Sequence, residues 1–185
     1  GLFWSAPALA QSLSIDLGTG GTVTARIIQI IALITLLSLA PTALVMVTSF
    51  TRIIVVLSLL RTAMGAQQTP PNAVLISLAL FLTFFVMQPT FQEAYDQGIQ
   101  PLIEEQITEE EAFTRSIAPV RDFMLRHVRE ADLALFLNMG GIEQVATPQD
   151  TPLRALVPAF MISELRRAFE IGFLLFVPFL IIDMV

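Results

Sequence analysis

Ala73-Val74-Leu75-Ile76-Ser77-Leu78-Ala79-Leu80-Phe81-Leu82-Thr83-Phe84-Phe85-Val86-Met87 decides the fold class. It lies inside residues 62–92, which carry no charge, and residues 27–51 carry none either. Apolar runs of this length approach the roughly 20 residues that a helix needs to cross a bilayer. Ionisable residues nevertheless stand close by. Arg52 and Arg61 bracket the apolar octet 53–60, and Glu164, Arg166, Arg167, Glu170 and Asp183 sit within or beside the last apolar stretch. Each charge at the centre of a lipid-exposed helix costs about 2.5–3.5 kcal/mol on insertion scales, so such residues face protein, water or a pore. The expected architecture is all-α, with membrane-associated helical hairpins and a small α-helical extracytoplasmic insert. The seven charged residues are the candidates for subunit interfaces or for the lining of a pore.

Composition supports this class. Hydrophobic residues make up 55% and charged residues 14% of the chain, against about 25% charged in a typical soluble domain. A single His127 and the absence of Cys leave no material for disulfides, thiolate chemistry or a His/Cys metal site. No cofactor or metal is expected, and an enzyme is not. The net charge of −6 and the lack of a basic patch argue against nucleic acid. All ten basic residues are Arg, which suits bidentate pairing with carboxylates as well as it suits codon bias.

Charge also sets the organisation. Ala8-Leu9-Ala10, after the apolar Leu2-Phe3-Trp4, has the small-x-small pattern of a signal-peptidase site. Residues 1–10 then read as the end of a signal peptide and 11–25 as an extracytoplasmic segment. Residues 26–89 form an apolar hairpin, 90–150 an acidic insert with twelve acidic residues against four Arg, and 151–185 a second apolar region. The apolar run 171–182 is too short to span alone, so the helix there reads as cut by the end of the chain. Arg and Lys favour the cytoplasmic side of a span, which puts Arg52 and Arg61 inside and the insert outside. A cleaved signal followed by two crossings gives the same sidedness.

Local grammar adds detail. Helix is expected from about Ile27, with a kink or break at Ala40–Thr42 because Pro41 cannot donate its backbone N–H. Pro70-Pro71-Asn72 marks a turn, and a second apolar helix over residues 73–87 is expected to end at Pro89. Thr108-Glu109-Glu110-Glu111 fits a capping box, with Glu111 reaching back to the cap. Adjacent glutamates on a helix point in different directions, so a solvated helix start outweighs a calcium site. A helix over residues 119–137 would put Ile117, Val120, Met124, Val128, Ala131 and Leu135 on one face, with Asn138, Gly140 and Gly141 as its stop. His127, between Arg126 and Arg129, has no nucleophile or metal partner in the sequence and reads as a surface or interface histidine.

The run 158–173 is the sharpest constellation. Ile162, Leu165, Phe169, Gly172 and Phe176 share a helical face, while Glu164 can meet Arg167 and Arg166 can meet Glu170 at helical spacing. If exposed, such pairs contribute only about 0.3–0.5 kcal/mol each. The favoured reading is that these charges pair with neighbouring subunits around a water-filled path.

Thr48-Ser49-Phe50-Thr51-Arg52-Ile53-Ile54-Val55-Val56, Leu60-Arg61, Pro70-Pro71-Asn72 and Leu78-Ala79-Leu80-Phe81-Leu82-Thr83-Phe84-Phe85 resemble the FliP family of flagellar type III export-gate proteins. So do Phe123-Met124-Leu125-Arg126, Arg129-Glu130-Ala131-Asp132-Leu133, residues 158–173, and Pro178-Phe179-Leu180-Ile181-Ile182-Asp183. The resemblance runs in order from about Ile30, and the insert looks more like the flagellar than the injectisome branch. It implies a homo-oligomer of five copies that joins FliQ and a single FliR, with FliO, FlhA and FlhB as further partners. Unfolded flagellar proteins would pass through its central channel, in the flagellar basal body at the inner membrane. It also implies a complex partly raised above the membrane, so that apolar helices are buried against other subunits.

The family's methionine-rich constriction follows the Pro-Phe-Leu-Ile-Ile-Asp segment, beyond Val185, and Met184 does not stand in for it. Two rival classes are weaker. A small-solute transporter subunit would need broken helices at a midplane site, as Pro41 and Pro178 could supply. An intramembrane enzyme would need a catalytic pair, and only Asp183 is suitably placed. The signal-like start yields a first prediction: terminal sequencing of the full-length protein recovered from membranes should begin at Gln11, and an intact leader would refute it.

Overall fold

The computed structural model of the chain describes residues 23–66, 68–142 and 145–185; the signal-like start and Gln11 lie outside them. Every long element among the described residues is helical, and there is no strand. The chain divides into two compact units between Leu39 and Ala40. Two helical stretches, Val23–Val47 and Asn72–Ile103, are long and apolar enough to cross a membrane.

Helix α1 (Val23–Val47) contains Pro41. Of the kink or break expected at Ala40–Thr42, the break does not occur: helix continues past Pro41 for six residues. Upstream, in the first unit, the hydroxyls of Thr35 and Ser38 turn back onto the carbonyls of Ile31 and Ile34, each at 2.8 Å. The chain breaks instead at Thr48-Ser49. There the Thr48 hydroxyl accepts from the Phe50 amide and donates to the Val45 carbonyl, both at 3.4 Å, and this local bonding competes with the helical ladder.

In the second unit, α2 (Phe50–Ala63) ends in a Schellman arrangement. Gly65, at φ 72°, takes the left-handed position, and the amides of Gly65 and Ala66 bond to the carbonyls of Thr62 and Arg61. Helix α3 (Asn72–Ala94) begins at the expected Pro-Pro-Asn turn but does not end at Pro89. It passes through that proline and leads into a π turn (Tyr95–Ile99) and the short α4 (Gln100–Ile103). At Gly98 the turn lies so close to α5 that an added Cβ would overlap the Ser116 side chain and stand 2.6 Å from the Ala112 carbonyl oxygen. Only glycine fits this crossing.

Helix α5 (Glu109–His127) starts at Thr108, whose hydroxyl accepts from the Glu111 amide at 3.3 Å. The return half of the capping box is not formed, because the Glu111 carboxylate pairs with Arg115 one turn on. Pro119 lies inside α5, and the helix expected over residues 119–137 is split in two. Val128 and Arg129 are extended, and α6 (Glu130–Met139) follows as a separate helix. Met124 from the expected face is buried, and Val120 and Val128 pack beside it, but Leu135 beyond the break is exposed. Gly140 and Gly141 (φ 61°) end α6 as expected.

A 3₁₀ turn (Pro148–Asp150) then leads into α7 (Leu153–Met184), which passes through Pro158 and Pro178. Arg121 of α5 holds this entry by donating to the carbonyls of Gln149 and Thr151. The core joins α3, α5 and α7 through Met87, Phe123, Met124, Leu156 and Phe160, with the Phe123 and Phe160 rings edge to face at 5.8 Å. Helices α2 and α7 also meet closely. A Cβ on Gly172 would overlap Leu59 Cδ1 and stand 3.2 Å from Leu59 Cβ. Gly172→Ala should therefore force the two helices apart and destabilise the fold by about 1–3 kcal/mol, read from thermal unfolding in detergent. Adding Leu59→Ala should recover part of the loss; no recovery would mean that the glycine serves something other than this contact.

Candidate functional site

The charges that sequence placed at risk in an apolar setting form a network on α7. Glu164 is fully buried. Arg52, on the first turn of α2, reaches it with both arms of its guanidinium: Nε donates to Oε2 at 2.7 Å and Nη2 to Oε1 at 3.0 Å. The planar fork matches the carboxylate, which is why Arg and not Lys serves here. Of the two local pairs expected on α7, Glu164 with Arg167 survives as a longer contact at 3.9 Å. Arg167 also donates to the His127 carbonyl at 3.3 Å.

The other expected pair, Arg166 with Glu170, does not form. Both residues look to the insert instead: Arg166 donates to Asp132 Oδ1 at 3.0 Å, and Arg129 donates to Glu170 Oε2 at 2.6 Å. Between them lies Ser163, fully buried, whose hydroxyl donates to Asp132 Oδ2 at 2.8 Å and accepts from the Arg129 amide at 3.0 Å. Helix α6 has no side-chain cap of its own, so a serine from α7 caps it. Sequence reasoning missed Asp132 and Ser163. Their signal was faint: an acidic residue three positions after an N-cap, and a small hydroxyl on an apolar stripe.

The remaining candidates lie elsewhere. Arg61, in the last turn of α2, donates to Asn72 Oδ1 at 2.7 Å and to the Pro70 carbonyl at 3.2 Å, closing the turn between α2 and α3. Asp183 is exposed on the rim of a cleft of about 360 Å³ between the end of α2 and the last turns of α7, walled by Met64, Phe176, Phe179 and Leu180. His127 is half-buried, with Nδ1 2.8 Å from the Phe123 carbonyl oxygen and its ring against Phe123 at 4.4 Å. The network thus ties α2 and the insert to one helix.

Large apolar side chains cover much of the outside. Phe81, Phe84 and Phe85 on α3, and Phe173, Leu174 and Ile181 on α7, are all more than half exposed. Exposed apolar area on this scale marks a surface that another protein or lipid covers.

The sequence profile of the FliP family matches residues 33–185. The chain belongs to the FliP family. Its similarity to curated members is high: it is 59% identical over 181 residues to the flagellar biosynthetic protein FliP of Caulobacter vibrioides, covering 97% of this chain and 68% of that protein. It is 51% identical to the Cereibacter sphaeroides protein of the same name, with 94% and 58% covered, and 49% identical to that of Pectobacterium carotovorum, with 100% and 73% covered. The chain therefore spans between about three fifths and three quarters of these relatives' lengths.

Removal of the two partners should not be equivalent. Arg52→Ala leaves a fully buried carboxylate with only the distant Arg167, and should cost about 3–5 kcal/mol of stability. Glu164→Ala leaves a guanidinium that is already partly solvated, and should cost clearly less. Equal losses in chemical denaturation of the detergent-solubilised protein would show that the pair's burial does not govern its energetics.

Proposed function

We propose that this chain is a subunit of the flagellar protein export gate. With further copies of itself, five as the family resemblance implies, and with FliQ and FliR, it builds the channel that passes unfolded flagellar proteins across the inner membrane. FliO, FlhA and FlhB act beside it. The observation that carries this reading is membership of the FliP family over residues 33–185, with relatives named for flagellar biosynthesis. The broad apolar surfaces of α3 and α7 support it, since a channel subunit must cover such faces with its neighbours.

Within this reading the charged residues divide by role. Arg52 and Glu164 hold α2 against α7 and so fix the shape of the subunit. Arg61, Arg166, Arg167, Glu170 and Asp183, all with some solvent exposure, are the candidates for contacts between subunits or for the channel lining. The solute-transporter alternative rested on helices broken at Pro41 and Pro178. Both α1 and α7 run through these prolines, which removes the feature that favoured it. Purification of the full-length tagged protein from membranes, with particle mass and copy number, tests the proposal. A multi-protein complex containing several copies is expected; a small oligomer with affinity for a solute would overturn it.

Sidedness belongs to the same proposal: residues 26–89 and 151–185 are the apolar regions and 90–150 the periplasmic insert, with Arg52 and Arg61 towards the cytoplasm. Glu110 stands exposed in the first turn of α5. A single Cys placed there should react with an impermeant thiol reagent in intact spheroplasts. Labelling only after lysis would reverse the topology.

A further inference from the structure

Helix α6 is built as a separable element. It has only ten residues, too short to be stable alone in water, and the one helix it packs on extensively is α7. A joint bounds it at each end: extended Val128-Arg129 before it, and Gly140-Gly141, with Gly141 at φ 61°, after it. Its outer face keeps Leu135 and Met139 in solvent, and Leu133 supplies its packing against the core. What fastens its first turn is polar and comes from α7: the Ser163 hydroxyl between the Arg129 amide and Asp132, with Arg166 on the second Asp132 oxygen and Arg129 on Glu170.

We propose that α6 is a strap that opens and closes on α7 as a unit, with Ser163 and Asp132 as its catch. Three observations converge on this. Neither end of α6 runs on into a neighbouring helix: extended Val128-Arg129 separates it from α5, and Gly141 in the left-handed region follows it. The helix takes its N-terminal cap from the surface it leaves, so opening loses the cap and the dock together and is cooperative. Ser163 and Asp132 are almost fully buried when the strap is closed, whereas Arg129, Arg166 and Glu170 at its edge are partly exposed. Opening uncovers the Ser163 hydroxyl and frees Arg166 from Asp132; closing buries the first and pairs the second. The strap therefore decides which face of α7 is available while the rest of the insert stays folded. This holds whether or not the chain works in an export gate.

Hydrogen exchange followed residue by residue on the full-length protein in detergent tests the device. The amides from Leu133 to Met139 should exchange together, faster than those in the middle of α5 and α7, as one local opening unit. Ser163→Ala takes this partner from the part-buried Arg129 amide and from a buried Asp132 oxygen, and should speed exchange in α6 by about ten- to a hundredfold, with the centres of α5 and α7 unchanged. Asp132→Asn keeps a group that can accept from Ser163 but loses the charge opposite Arg166, so it should give a smaller increase in the same amides. The proposal fails if α6 exchanges in step with α5 and α7 in the parent protein. It fails equally if Ser163→Ala accelerates all three helices alike, since the serine would then be part of the global core and not a catch.

Discussion

A carboxylate with no access to water has to be paired, and the fold is arranged around pairing Glu164. A buried ion pair gains little over an apolar pair of the same volume, but its two halves cannot be separated cheaply. The consequence is positional. Arg52 sits on the first turn of α2, 112 residues from Glu164 along the chain. Its bidentate contact fixes both the approach and the rotation of α2 on α7. The close crossing at Gly172 and Leu59 then becomes possible, because only one rotation brings a residue without a side chain opposite that leucine.

The same helix organises the other half of the second unit. Ser163 is adjacent to Glu164 in sequence and turns to the insert, where it caps α6, while Glu164 turns to α2. Phe160, one turn earlier, enters the core with Phe123. A short stretch of α7 therefore serves three neighbours, and each contact uses a different direction around the helix. Polar groups at this junction specify orientation, and the apolar side chains supply the burial.

How much was legible in sequence follows from which signals are local. Long apolar runs, the Pro-Pro-Asn turn, the Thr108 cap and the Gly140-Gly141 stop are written in neighbouring residues, and each matches the structure. Proline was the least reliable local signal. Pro41, Pro89, Pro119, Pro158 and Pro178 all lie inside helices, each forgoing a backbone donor without ending its helix. Two breaks that sequence did not foresee fall at Thr48-Ser49 and Val128-Arg129, where no proline stands. For the ion pairs, helical spacing identified the right residues on α7 but mostly the wrong partners. Spacing sees three or four positions ahead, whereas Arg52 and Asp132 arrive from other helices.

A reach across the fold also explains why an apolar chain keeps its charges. An exposed Arg166–Glu170 pair within one helix would have offered well under 1 kcal/mol and no information about tertiary structure. By dividing those two residues between Asp132 and Arg129, the chain makes the same charges report on the docking of α6. Because Asp132 is buried while Arg166 is half-exposed, the cost of undocking falls mainly on the insert side, which must expose or neutralise its carboxylate. Helix α7 keeps its own hydrogen-bond ladder in either arrangement. The asymmetry lets one helix act as a spine, joined to α2 through the buried Glu164 and to α6 through Arg166 and Glu170, whose side chains are half-exposed on α7.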